Sequence, residues 1–73
     1  MIEENRKIVD FIRDKYIIPM NNNSKFAKEN NIDEKTVRKI KDDPSYKIGL
    51  STIIKVCKNN SITLSDFFKQ IGI

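Results

Sequence analysis

The chain contains no histidine, no tryptophan and a single cysteine, Cys57. One thiol and no imidazole exclude a disulfide framework, the usual zinc-ligand spacings and histidine-based acid or base catalysis. A thiol enzyme would lack its base, so no catalytic residue is expected, and no metal or other cofactor is implied. Cys57 reads as a small buried hydrophobe on a helix. Long apolar runs are missing too. The longest, Tyr16-Ile17-Ile18-Pro19-Met20, falls far short of the roughly 20 residues that cross a bilayer, so no membrane partner is expected. The stretch Met1-Ile2-Glu3-Glu4-Asn5-Arg6-Lys7 has no apolar segment after its charges. No secretory signal is expected there, and the expected compartment is the cytoplasm.

Glycine (Gly49, Gly72) and proline (Pro19, Pro44) occur twice each, so Asn, Asp and Ser clusters must punctuate the chain. Fourteen Lys and Arg against ten Asp and Glu give a formal charge of +4, which favours an anionic partner. Seventy-three residues allow one domain, residues 1–73. A chain this short buries only about 60% of its unfolded surface, so the core is thin and the fold simple. No internal repeat is read, and Asn21-Asn22-Asn23 reads as a loop ending in a helix cap.

Helical periodicity runs through every segment. Ile8, Phe11, Ile12 and Tyr16 recur at spacings of three and four, which predicts a helix over 3–16, ended by Pro19. Asn22 or Asn23 can cap a short helix over 24–30 with Phe26 and Ala27 inward, and Asn30-Asn31 supplies its left-handed stop. Asp33 is the expected cap of a third helix reaching Lys41, nearly all surface, with Val37 and Ile40 its only inward residues. Residues 42–49 read as a loop, from acidic turn formers, Pro44 and Gly49. Leu50-Ser51 opens a fourth helix with Ser51 as cap and Ile53, Ile54, Val56 and Cys57 for contacts. A fifth, capped by Ser65, carries Phe67, Phe68 and Ile71. The expected fold class is therefore all-α, a bundle of five short helices.

The second and third helices, joined by a short turn, describe a helix-turn-helix. Ala27 suits the close crossing, and the Asp33 cap would hold the third helix with Glu34, Lys35 and Thr36 outward. A major groove receives such a turn and shows its base edges to side chains near the helix start.

With these residues the sequence resembles the Cro/repressor class of helix-turn-helix proteins, also called the XRE class. The resemblance rests on Ile8 and Ile12-Arg13, Ser24-Lys25-Phe26-Ala27, Ile32-Asp33, and Val37 with Ile40. It continues through Leu50-Ser51-Thr52-Ile53-Ile54-Lys55-Val56-Cys57 and Ile62-Thr63-Leu64-Ser65-Asp66-Phe67-Phe68, covering nearly the whole chain. It implies a five-helix, lambda-repressor-like bundle that binds double-stranded DNA. It implies base reading by Glu34, Lys35, Thr36 and Lys39, and backbone contacts from Asn22, Asn23, Ser24 and Lys25. The loop residues Tyr46 and Lys47 are further backbone candidates, with Arg38 and Lys41 as neighbours of phosphate. Three positions depart from the family pattern. Asn31 stands at the usual turn glycine, the first interhelical loop is longer and carries Ile17, Ile18 and Met20, and Lys41 replaces a glutamate that would pair with Arg13. Asp10, Asp14 and Asp42 are the alternative partners for Arg13.

The implied function is a sequence-specific transcriptional regulator, a small repressor occupying a palindromic operator. An antitoxin or protein-interaction adaptor on the same fold, with a toxin or other protein as partner, is the alternative. For lysine-rich helix faces the plain reading is a solvated surface, and Glu34 could equally pair with Lys35 or Arg38 and read nothing. One recognition helix reads too few base pairs to select a genomic site, so a homodimer on two half-sites is expected, weak or completed on DNA. Phe67 and Phe68 cannot both face the core, and the one left over, with Ile71 and Ile73, would form the contact.

Overall fold

The computed structural model describes residues 2–73, with side chains from residue 4 onward. Helix α1 is continuous through three stretches: Ile2–Ile12, a π-helical Arg13–Ile17 and a closing Ile18–Met20. It is followed by α2 (Asn23–Glu29), α3 (Glu34–Asp42), α4 (Leu50–Asn59) and α5 (Leu64–Ile71), and no strand occurs among the described residues. The all-α expectation therefore holds for them.

Pro19 does not end the first helix. In α spacing, Ile12 would be followed on the buried face by Tyr16. The π segment inserts one residue instead, so that Ile17 is 1% exposed beneath Ile12 while Ile18 turns outward at 50%. The Ile18 N–H donates to the Arg13 carbonyl, the five-residue step of a π turn. That wider turn comes immediately before Pro19, the residue with no amide to give and a ring that would crowd an α-helical carbonyl behind it. The helix stops two residues later at Asn21, whose φ of 52° is the left-handed geometry asparagine tolerates.

Asn22 caps α2, its Oδ1 accepting from the Lys25 N–H at 3.0 Å. The far end of α2 closes as a Schellman turn: Asn31 sits at φ 56°, and the Ile32 N–H reaches back to the Ala27 carbonyl at 2.8 Å. Asp33 holds the cap position of α3 in extended geometry, but its side chain makes no capping hydrogen bond. Two other expected caps are corrected. Gly49, not Ser51, precedes α4 in extended geometry, so Ser51 lies inside the helix. Thr63, not Ser65, caps α5, its Oγ1 accepting from the Asp66 N–H at 3.1 Å.

Ile8, Val9, Ile12 and Ile17 of α1 meet Phe26 and Ala27 of α2, Val37 and Ile40 of α3, Ile53, Val56 and Cys57 of α4, and Phe67 of α5 in one core. Phe11 packs edge-on to Phe67, with centroids 5.5 Å apart, which ties α1 to α5. Phe67 is thus the core aromatic and leaves the set of dimer-contact candidates, because its side chain is fully buried within one chain. Phe68 and Ile71 are half-buried against the core, and Ile73 is 51% exposed.

The α2–α3 turn geometry recurs at α4–α5, thirty residues on. Asn30 and Asn60 each donate from Nδ2 to the carbonyl four residues back, Phe26 at 2.9 Å and Val56 at 2.8 Å. Ser61 at φ 54° matches Asn31, and the Ile62 N–H returns to the Cys57 carbonyl as Ile32 does to Ala27. Thr63 matches Asp33 as the capping position, and Phe67 matches Val37 as the first inward residue. The two hairpins thus share a backbone turn, but only the first is followed by a basic helix.

Candidate nucleic-acid interface

Helix α3 packs against α2 and lies across α1, burying Val37 and Ile40 completely. At 3.6 residues per turn, Lys35 and Lys39 fall about 40° apart on the side opposite that buried pair. Both are exposed, and neither makes an ion pair or hydrogen bond among the described residues. Thr36 and Lys41 flank the buried pair on opposite edges and are half-buried. Asp42 shares the outward line at the far end of the helix and is exposed.

Glu34 and Arg38 take each other up. The Arg38 Nη2 donates to the Glu34 Oε2 at 3.0 Å, across one helical turn. With Arg38 exposed and Glu34 half-buried at the surface, the pair adds only about 0.3–0.5 kcal/mol to the fold. It neutralises Glu34 locally and leaves Lys35 and Lys39 as the unpaired cations of the outward face. The acidic first turn and basic last turn also follow the helix dipole.

The backbone candidates are distributed around this helix. Asn22 uses its Oδ1 as a cap, Asn23 is half-buried, and Ser24 and Lys25 are exposed. The Lys25 Nζ stands 4.0 Å from Glu29, a loose surface pair. Tyr46 is half-buried against the core, whereas Lys47 is exposed and makes no ion pair among the described residues.

The loop that carries Lys47 is built from both sides. Asp43 accepts from the Ser45 N–H at 2.9 Å and from its Oγ at 2.7 Å, closing a local turn. The Ser45 hydroxyl and then its amide hold the Asp43 carboxyl below the ordinary range, with Lys39 and Arg6 adding to the effect. From α1, the Arg6 Nη1 donates to the Pro44 carbonyl at 2.6 Å, while its Nη2 holds Asp10 at 2.7 Å. The Asn5 side chain donates to the Tyr46 carbonyl at 2.8 Å and accepts from the Ile48 N–H at 2.9 Å. Asn5 and Arg6 escape a reading of sequence pattern, because their partners lie about forty residues away and no local spacing links them.

Arg13 finds Asp14 at 2.8 Å and Asp10 at 3.1 Å. The guanidinium hydrogen bond holds the Asp14 carboxyl below its ordinary range. Burial raises the Cys57 thiol, which keeps it protonated and weakly nucleophilic at neutral pH. Among the described residues no group of His, Cys, Asp or Glu could hold a metal, and no helix is long and apolar enough to cross a membrane. No family model, curated protein or solved structure matches the chain.

Proposed function

We propose that this chain is a sequence-specific DNA-binding regulator of the Cro/repressor type, a five-helix, repressor-like bundle in which α2 and α3 act as the helix-turn-helix. In this reading α3 enters the major groove, with Lys35 and Lys39 toward base edges and Thr36 at the margin. Lysine donates to the two acceptors on guanine's major-groove edge, which suits the start of a recognition helix. Lys25 and Lys47, with Asn22, Asn23, Ser24 and Tyr46, supply contacts to the backbone. Arg38 and Lys41 strengthen the local positive potential, and Glu34 tempers it. The protein acts in the cytoplasm as a homodimer on a palindromic operator.

The observation that carries the reading is the outward line of α3, where two unpaired lysines one turn apart stand opposite a fully buried Val37–Ile40 pair. A helix so held by its inner side, with cations exposed on the outer, can enter a groove without disturbing the core. Fluorescence anisotropy with duplexes from upstream of its own gene, and with a randomised library, tests it. The expected result is binding that falls steeply with salt and selects one motif, since phosphate contacts release counterions.

A second reading rests on a different surface. Leu50 is 58% and Ile54 39% exposed, four residues apart on α4, an apolar pair suited to a protein partner such as a toxin. Failure to bind any duplex at low salt would remove the DNA reading and leave this one.

A further inference from the structure

Lys47 lies in the stretch between α3 and α4 that has no helical hydrogen bonding of its own. A lysine on an untethered loop contributes little to a phosphate contact, because binding must first order the backbone that carries it. Here the ordering is already done by α1. The Asn5 amide spans Lys47, bonding the carbonyl before it and the N–H after it, as the edge of a neighbouring strand would. The two bonds need opposite ends of the amide, so the side-chain orientation is set by its partners. Arg6 fixes the loop upstream through the Pro44 carbonyl and is itself anchored by Asp10. Lys47 makes no hydrogen bond or ion pair among the described residues, so its ammonium and its own N–H are both uncommitted.

We propose that Asn5 is a positioning residue for DNA backbone recognition: its side-chain amide pre-orders residues 46–48 so that Lys47 meets a phosphate without a folding step. This rests on the DNA-binding reading. It adds that part of the interface is built from the first helix, far in sequence from the helix-turn-helix.

The test compares the salt dependence of binding to one selected duplex for the wild type, Asn5→Ala, Lys47→Ala and the double variant, each checked for helical content. Lys47→Ala should lower the slope of log K against log salt by about 0.9. Asn5→Ala should lower it by nearly as much while keeping Lys47, and should change nothing further in the Lys47→Ala background. A merely structural Asn5 would shift the melting temperature and leave the slope of the folded protein alone, which would overturn the proposal. Should Asn5→Ala fail to fold, amide chemical shifts of the wild type decide. DNA should move the Lys47 amide and leave the Ile48 amide, which stays on Asn5, in place. An unmoved Lys47 or a displaced Ile48 overturns the proposal while the DNA reading stands. Absence of binding by the wild type removes both.

Discussion

Asn30 and Asn60 hold the same place in two copies of one turn, yet Asn30 is 2% exposed and Asn60 lies at the surface. Each donates from Nδ2 to a carbonyl four residues back, but the Asn30 Oδ1 is buried with no hydrogen-bond partner among the described residues. The turn geometry repeats; the environment, set by what packs over it, does not. Asn30 sits at the junction on which the orientation of α3 depends.

Replacing each with aspartate separates the two. Asn30→Asp removes the donor to Phe26 and places an ionisable group where no partner waits, so it should cost about 2 kcal/mol or more. Asn60→Asp, with water at hand, should cost under about 1 kcal/mol. Urea denaturation of the two variants checks this, and equal losses would mean that burial at Asn30 is unimportant.

Much of the helical framework was legible from periodicity and from asparagine. Ile8, Ile12, Val37 and Ile40 take inward positions because their spacing leaves no other common face, whereas spacing left Phe67 and Phe68 as equal claimants and only packing against Phe11 decides for Phe67. The left-handed Asn31 needs only its own side chain to be recognised. Pro19 misled, because its rule describes an α-helix and the chain answers with a π turn. Ser51 and Ser65 misled because neighbouring residues compete for one capping position, and the hydrophobic register chooses between them. The Asn5 clamp and the Glu34–Arg38 choice depend on tertiary placement and rotamers that no spacing encodes.

Lys35 and Lys47 should behave differently as alanine variants. Lys35→Ala should relax preference at one base position per half-site, worth about 1–3 kcal/mol of discrimination. Lys47→Ala should weaken all duplexes about equally. Selection of randomised duplexes with each variant distinguishes them, and an unchanged motif for Lys35→Ala would remove Lys35 from base reading.

Glu34→Gln weakens the tie to Arg38 and removes a carboxylate from the first turn of α3. Stability should drop by no more than about 0.5 kcal/mol, while DNA affinity should rise and its salt dependence steepen. The same titrations show the opposite sign if Glu34 accepts from a cytosine amino group, since affinity would then fall at one base position.

Asp43 should make the loop acid-sensitive. Its native carboxyl is held below the ordinary value by the Ser45 hydroxyl and amide, so folding favours the charged form. Its contribution is complete above the unfolded aspartate value of about 3.9. It is lost as pH falls through the lower native value. Asp43→Asn should therefore lose less stability than the wild type as pH falls below about 4, read from denaturation curves at each pH. An identical pH profile would show that the Asp43–Ser45 turn does not persist in solution.

Burial of Phe67 leaves Phe68, Ile71 and Ile73 for the expected dimer contact. Phe67 and Ile73 should respond differently to substitution, because one is enclosed by its own chain and the other is half exposed just beyond α5. Phe67→Ala should cost about 3–5 kcal/mol of stability, with the same loss at every protein concentration. Ile73→Ser should leave the denaturation midpoint of the dilute protein unchanged and lower cooperativity on a two-half-site operator. Cutting the chain after Lys69 is a harsher probe, since it also removes the half-buried Ile71 and the Gln70 oxygen that accepts from Lys15 at 2.8 Å. That truncation should destabilise the fold as well as the dimer, so the point substitution is the cleaner measure. Sedimentation of the DNA complex supplies the stoichiometry: two chains per operator are expected, and one chain, or full cooperativity in Ile73→Ser, removes the α5 contact.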